Sequence, residues 1–281
     1  MVRVRYSFGS RHTGKLDNIK KQRKKFPKVM EEVIRVSDVV LQVLDARFIK
    51  ETRNFELERK IKKEGKTIIF VLNKSDLVDK REVEKRLKIK PYVFVSCSKR
   101  QGSGKLRDLI KRVVRKIDLP ENKKRAQVGI VGYPNTGKSS LINLLTGRTV
   151  ARTGNEAGFT KGMQKVRLTS DILILDTPGV IPESEYSMDD KDKIAKQAKI
   201  GAKSIGKLRD PELAVQGLLN DDKFRKILEK FYSIKSEGDS DVFLEGIGKK
   251  KGFLKKGGVI QLDRTARDVL RDWQNGVIKI K

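Results

Sequence analysis

Residues Gly132 to Ser139 read G-Y-P-N-T-G-K-S, between the apolar run Val128 to Val131 and a second apolar stretch, Leu141 to Leu145. A buried strand, a Gly-rich turn and a helix are therefore expected in that order, which is the context a phosphate-binding loop requires before its pattern carries meaning. Gly132 and Gly137 let the turn aim its backbone N–H groups inward without Cβ clashes. Lys138 would reach the β- and γ-phosphates, Ser139 would offer a hydroxyl to Mg²⁺, and the helix N-terminus adds partial positive charge beneath the anion. Thr136 and Ser140 complete the predicted cradle. Two other stretches carry parts of the pattern: Gly9 to Lys15 reads G-S-R-H-T-G-K and is followed by Leu16, and Gly102-Ser103-Gly104-Lys105 repeats the glycines. Neither follows a predicted strand and carries Ser or Thr after its Lys.

The chain has 281 residues, enough for two ordinary domains, and its net charge of +29 points to a polyanionic partner. Nucleic acid suits that charge better than a membrane. No apolar run reaches the roughly 18 residues that a spanning helix needs, and M-V-R-V-R-Y-S-F-G-S at the start lacks the apolar centre of a signal peptide. A cytoplasmic location and no membrane association are expected. The single cysteine, Cys97, excludes an internal disulfide, and with one histidine in the chain it makes no metal site.

Residues 1–35 hold eleven Lys/Arg against three Asp/Glu, too dense a charge for an ordinary surface, and end in a helical pattern around Val29, Val33 and Val36. From Asp38 the pattern alternates. Asp38 to Asp45 predicts a buried strand, Phe55 to Glu64 a helix stopped by Gly65, Thr67 to Leu72 a strand, 79–88 a helix, Tyr92 to Ser96 a strand and Lys105 to Ile117 a basic helix. A polar connector, Pro120 to Arg125, leads to the strand and loop quoted above. A loop over 149–163 and strands Gln164 to Leu168 and Ile172 to Leu175 follow. This alternation predicts an α/β fold with a doubly wound, mainly parallel sheet and ligands at the carboxyl ends of its strands. After Glu183 helical patterns take over, as in Ile194 to Leu208 and Phe224 to Tyr232. A linker over 182–190 then divides a first domain, 1–185, from a small all-helical domain, 186–281. The last 91 residues carry 22 Lys/Arg against 13 Asp/Glu, with basic Gly-rich turns at Gly248 to Gly252 and Lys255 to Gly258 that suit a phosphate backbone.

Asn73-Lys74-Ser75-Asp76 ends the second strand. An Asp76 carboxylate can accept hydrogen bonds from the ring N1–H and exocyclic amine of guanine, a pairing adenine cannot supply. Asn73 would brace the loop and contact the base, the Lys74 stem would cover the base, and Ser96-Cys97-Ser98 would give a backbone N–H to the guanine O6. Without the neighbouring phosphate loop, N-K-S-D would also serve as an ordinary turn with Asp76 as a helix cap. Asp176-Thr-Pro-Gly179 ends the last strand, so Asp176 would hold Mg²⁺ through water while the Gly179 N–H meets the γ-phosphate. Thr160, in G-F-T-K-G, would complete the Mg²⁺ shell.

These motifs resemble those of the GTPase superfamily in a rotated order. Ordinary members run from the P-loop through the switch threonine and D-x-x-G to N-K-x-D and S-A-K; here N-K-S-D and S-C-S come first and D-T-P-G last. A circular permutation leaves each strand-end loop in place, because the ligand site depends on the sheet and not on where the chain is cut. Leu44-Asp-Ala-Arg-Phe48, Thr52-Arg-Asn54, the P-N-x-G-K-S-S loop, Ile247 to Ile260 and Arg264 to Asp272 are similar to the YlqF/RbgA family of circularly permuted ribosome-assembly GTPases. The resemblance covers essentially the whole chain. It implies GTP and GDP as ligands with Mg²⁺, GTP hydrolysis, and contact of a helical domain with ribosomal RNA in a large-subunit precursor, by a protein expected to be a monomer. Asn135 stands at the position that in such GTPases helps hold K⁺ near the β/γ bridge. The chain departs from the pattern at Ser98, where S-A-K members have Lys, and at Phe8 to His12, which only loosely echoes the family's P-G-H-M segment and leaves His12 as either a catalytic residue or an RNA contact. Val180 stands where many GTPases place a water-orienting glutamine. Two other functions fit the same motifs: an RNA-binding assembly factor whose GTP is structural, and a GTPase acting on another RNA such as transfer RNA.

Overall fold

The computed structural model describes residues 31–121, 123–147, 164–177, 190–202 and 205–279. The basic arm up to residue 30, Thr160, Gly179, Val180 and the 185/186 boundary lie outside them, as does His12.

Six strands form one sheet in the order β3-β2-β1-β4-β6-β5. They are β1 (Val39–Asp45), β2 (Thr67–Asn73), β3 (Tyr92–Phe94), β4 (Ala126–Gly132), β5 (Gln164–Arg167) and β6 (Ile172–Asp176). All neighbours are parallel except β5, which runs antiparallel to β6 at the edge. The middle strands are mostly apolar because helices cover both faces: β1 is buried along its whole length, Gln42 and Asp45 included. On one face Leu41, Val43, Ile69 and Ile130 pack with Leu106 and Ile110 of α5 (Ser103–Val114) and with Leu141 and Leu145 of α6 (Lys138–Thr146). On the other, Val40, Leu44 and Leu72 meet Val33 and Ile34 of α1, helical over residues 31–36, and Leu57 and Ile61 of α3 (Phe55–Lys63).

The Thr52-Arg53-Asn54 segment is structural. The Thr52 hydroxyl donates to the Phe48 carbonyl across the short helix α2 (Ile49–Thr52), Arg53 forks onto Glu58 at 2.9 and 2.6 Å, and Asn54 caps α3 by accepting from the Leu57 N–H. The helix α4 (Lys80–Arg86) connects β2 to β3.

Beyond the sheet, the chain forms α7 (Asp190–Lys199), α8 (Pro211–Leu219), α9 (Asp222–Tyr232), α10 (Ser240–Lys251) and α11 (Leu262–Gln274). The single helix expected over Ile194 to Leu208 instead ends at Lys199. Gly201 takes a left-handed conformation (φ 68°), the Ala202 N–H closes back on the Gln197 carbonyl, and only a short 3₁₀ turn, Ile205–Lys207, follows. The helical part has its own core, and two side chains of the sheet part join it: Phe48, after β1, and Tyr133, after β4. Phe48, Phe224 and Trp273 meet ring to ring at centroid distances of 5.2 to 5.9 Å, and Trp273 is fully buried. Two cores thus share one seam, on the side of the sheet where β1, β2 and β4 end.

Candidate nucleotide site

The chain winds from β1 outward through β2 to β3, then returns to β4 on the other side of β1 and continues to β6. The crevice at that reversal is where an open α/β sheet takes its ligands, and the motif residues gather there. Gly132 ends β4, Lys138 opens α6, Asn73 ends β2, and Asp176, itself buried, ends β6.

The phosphate loop is already curled. Lys138 folds back, its ammonium donating to the carbonyls of Tyr133 (2.8 Å) and Gly132 (3.2 Å), and Thr136 Oγ1 donates to the Tyr133 carbonyl at 2.9 Å. Burial pushes the Lys138 ammonium down to about 8, against the opposing attraction of Asp176. A buried cation so destabilised fits an anionic ligand, because a phosphate would restore its charge. Ser139 lies in the first turn of α6, where a hydroxyl could serve Mg²⁺ beside Asp176. Gly137 (φ 95°) sits so close to the Asn73 amide nitrogen that a Cβ there would collide with it.

Asn73 ties three loops together. Its Nδ2 donates to the Thr136 carbonyl at 2.8 Å, and its Oδ1 accepts from the Cys97 N–H at 3.2 Å. The bracing is the part of its expected role that these bonds express; of the Ser96-Cys97-Ser98 segment expected to offer a backbone N–H to the base, the Cys97 N–H is spent on Asn73. Asp76 accepts from Ser96 Oγ (2.6 Å) and Ser98 Oγ (3.2 Å), so Ser98 orients the carboxylate where a Lys stands in S-A-K members. Lys74, in the left-handed region (φ 58°), pairs with the buried Asp45 at 2.8 Å, and Arg47 holds the same carboxylate at 2.8 Å. Burial alone would raise Asp45, yet Lys74 and Arg47 together hold it at about 2. Burial pushes the Cys97 thiol up to about 12, which leaves it no part as a nucleophile at neutral pH.

One cavity of about 830 Å³ joins the two loops, with Asn73, Lys74, Asp76 and Ser98 on one side and Asn135, Gly137 and Ser140 on the other. That volume suits a ligand of nucleotide size. Its remaining wall comes from the helical part: Gly201, Ile205 and the end of α11. Asn135, for which a K⁺ contact was expected, donates its amide to the Gly201 carbonyl at 2.7 Å, tying the phosphate loop to that wall. The α11 residues at the cavity and the Asp45–Arg47 pair were not singled out as site residues from the sequence. In the sequence Arg264 to Asp272 resembles part of an RNA-contacting helical domain, and D-A-R is only a point of family resemblance.

A family model described as a 50S ribosome-binding GTPase matches residues 127–242. The match begins at the phosphate-loop strand and leaves the guanine-type loop upstream, as the rotated motif order requires. The chain is 41% identical over 257 residues to an uncharacterized GTP-binding protein of Methanocaldococcus jannaschii, covering 90% of this chain and 66% of that protein. It is 31% identical to the nuclear GTP-binding protein NUG1 of Saccharomyces cerevisiae, covering 92% and 56% respectively. The chain spans about half to two thirds of the length of the curated relatives it matches. Among solved structures, YlqF from T. maritima bound to GNP is similar with a TM-score of 0.62 at 25% identity, covering 93% of this chain and 96% of that one. A likeness over nearly the whole of both chains, with the rotated motif order, leaves one assignment: the chain belongs to the circularly permuted GTP-binding proteins of the YlqF type.

Proposed function

We propose that the protein is a GTP-hydrolysing switch that binds ribosomal RNA and assists assembly of the large ribosomal subunit, with residues 1–185 as the GTPase domain and 186–281 as the RNA-binding domain. The observation that carries this reading is the convergence of the N-K-S-D loop and the phosphate loop on one cavity in a chain of net charge +29. Asp76, held by Ser96 and Ser98, reads the guanine edge. The backbone from Asn135 to Ser140 and the Lys138 ammonium take the phosphates, while Ser139, Asp176 and Thr160 hold Mg²⁺, which when bound neutralises charge on the β- and γ-phosphates. Gly179 meets the γ-phosphate. The Asn135 amide nitrogen is committed to Gly201, and its oxygen would serve K⁺.

The side chain of Val180 cannot hydrogen-bond the attacking water, so turnover by the protein alone is slow and the ribosomal particle supplies what is missing, by engaging residues 149–163 or delivering His12. The basic excess and the nuclear and nucleolar names of the relatives support the choice of partner. The test is GTP hydrolysis measured with and without large-subunit particles, in potassium and in sodium. Slow basal turnover, acceleration by particles and faster turnover in potassium are expected. A rate unmoved by saturating particles would favour an assembly factor with a structural nucleotide, and rapid turnover alone in sodium would contradict the reading of Val180.

A further inference from the structure

We propose that the end of α11 is a working wall of the nucleotide site, with Gln274 and Arg271 touching the base and ribose of the bound nucleotide, so that the helical domain clamps GDP and GTP alike. This rests on the guanine-nucleotide reading and adds to it a contact from the second domain.

Four observations place α11 there. Arg271 and Gln274 line the same cavity as Asp76, Ser98, Gly137 and Ser140. With Asp76 and Ser98 at the base end and Gly137 and Ser140 at the phosphate end, the wall that remains for α11 runs along the base and ribose. The Gln274 amide nitrogen is buried with no hydrogen-bond partner among the described residues, an arrangement that costs free energy until a ligand acceptor completes it. Its side-chain carbons pack on Gly201, which holds the amide in place. Arg271 is exposed and makes one ion pair among the described residues, with Asp268 at 3.1 Å, which leaves donors of its fork for a hydroxyl or a phosphate oxygen. Arg267, which also lines the cavity, is committed to Asp263 and to the Ile205 and Leu208 carbonyls and serves as scaffold.

The wall is held in register from the sheet side. Buried Arg47 donates through Nη1 to the Trp273 carbonyl at 2.9 Å while its other nitrogens grip Asp45, so one guanidinium joins the end of α11 to the carboxylate that also holds Lys74. Trp273 Nε1 donates to the Lys199 carbonyl, and Asn135 reaches the Gly201 carbonyl. Gly276 (φ 74°) lies against Leu77, one residue past the guanine-reading Asp76, so closely that a Cβ would collide with the Leu77 methyls. The helix therefore rests directly on the loop that reads the base. Apart from the Asn135 tie these contacts lie away from the phosphate loop, and Gln274 and Arg271 stand on the base and ribose wall, which is why their contribution is indifferent to the γ-phosphate.

The experiment is calorimetric titration of GDP and of a non-hydrolysable GTP analogue into the wild-type chain, Gln274→Ala and Arg271→Ala, with hydrogen exchange of the wild-type chain with and without GDP. Each variant is expected to weaken both nucleotides by the same factor, on the order of five- to tenfold, with the melting temperature of the nucleotide-free protein unchanged for Arg271→Ala. GDP is expected to slow exchange in 267–276 as well as in 132–140. Unchanged affinities in both variants, protection confined to 132–140, or a loss felt only by the GTP analogue would each overturn the clamp while leaving the nucleotide site in place. A wild-type chain that binds no guanine nucleotide would instead overturn the reading on which the clamp rests.

Discussion

Two residues make the site's chemistry testable one atom at a time. Asp76 presents a carboxylate with both oxygens fixed by serine hydroxyls, an acceptor pair matched to guanine. Asp76→Asn would turn one oxygen into a donor, which suits the position-2 oxygen of xanthine, and the serine hydroxyls can rotate to accommodate it. Competition binding should show the variant preferring XDP over GDP; full retention of the guanine preference would remove Asp76 from base recognition. Lys138 gives a pH signature. Burial has pushed its ammonium down to about 8 in the free protein, and a bound phosphate would raise it again. Above pH 8 binding must therefore take up a proton, and affinity should fall as pH rises through that value by up to about tenfold per unit. Titrations between pH 7 and 9, in buffers of different ionisation enthalpy, should show growing proton uptake. Affinity independent of pH with no proton uptake would mean that Lys138 does not carry the phosphate.

The loops work because they are fastened to one another. Asn73 joins the β2 loop, the β3 loop and the phosphate loop through two hydrogen bonds, at a spot where Gly137 has given up its Cβ to make room. Asn73→Ala would leave the Thr136 carbonyl and the Cys97 N–H without their partner, and denaturant unfolding should report a loss of about 1–3 kcal/mol together with weaker nucleotide binding. Unaltered stability and affinity would contradict the bracing. This level is also where the sequence was most legible. Short, mainly apolar runs, each followed by a polar cluster, mark buried parallel strands whose ligand loops sit at one end, and β1, β2 and β4 follow that rule. The end of α7 was less legible, because helical periodicity continues through Ile200 and Ile205 while Gly201 reverses the backbone between them.

At the scale of the whole molecule, what the sequence concealed is the seam. Phe48 and Tyr133 read as ordinary apolar residues beside their strands, yet both bury themselves in the helical core, and nothing local signals partners so far along the chain. For the same reason α11 reads only as a segment resembling an RNA-contacting helix, while Gln274 and Arg271 line the cavity beside the phosphate loop. The seam gives the two domains a reason to respond together. Base and ribose contacts would hold α11 in either nucleotide state, and a γ-phosphate acting at Gly179 would pull on the segment that leads from Asp176 into the helical domain. RNA contact should then depend on which nucleotide is bound. The most direct test is the affinity of the protein for large-subunit particles at fixed salt, measured once with a non-hydrolysable GTP analogue and once with GDP. Clearly tighter binding in one state is the predicted result, and equal affinities in the two states would contradict a nucleotide-controlled switch.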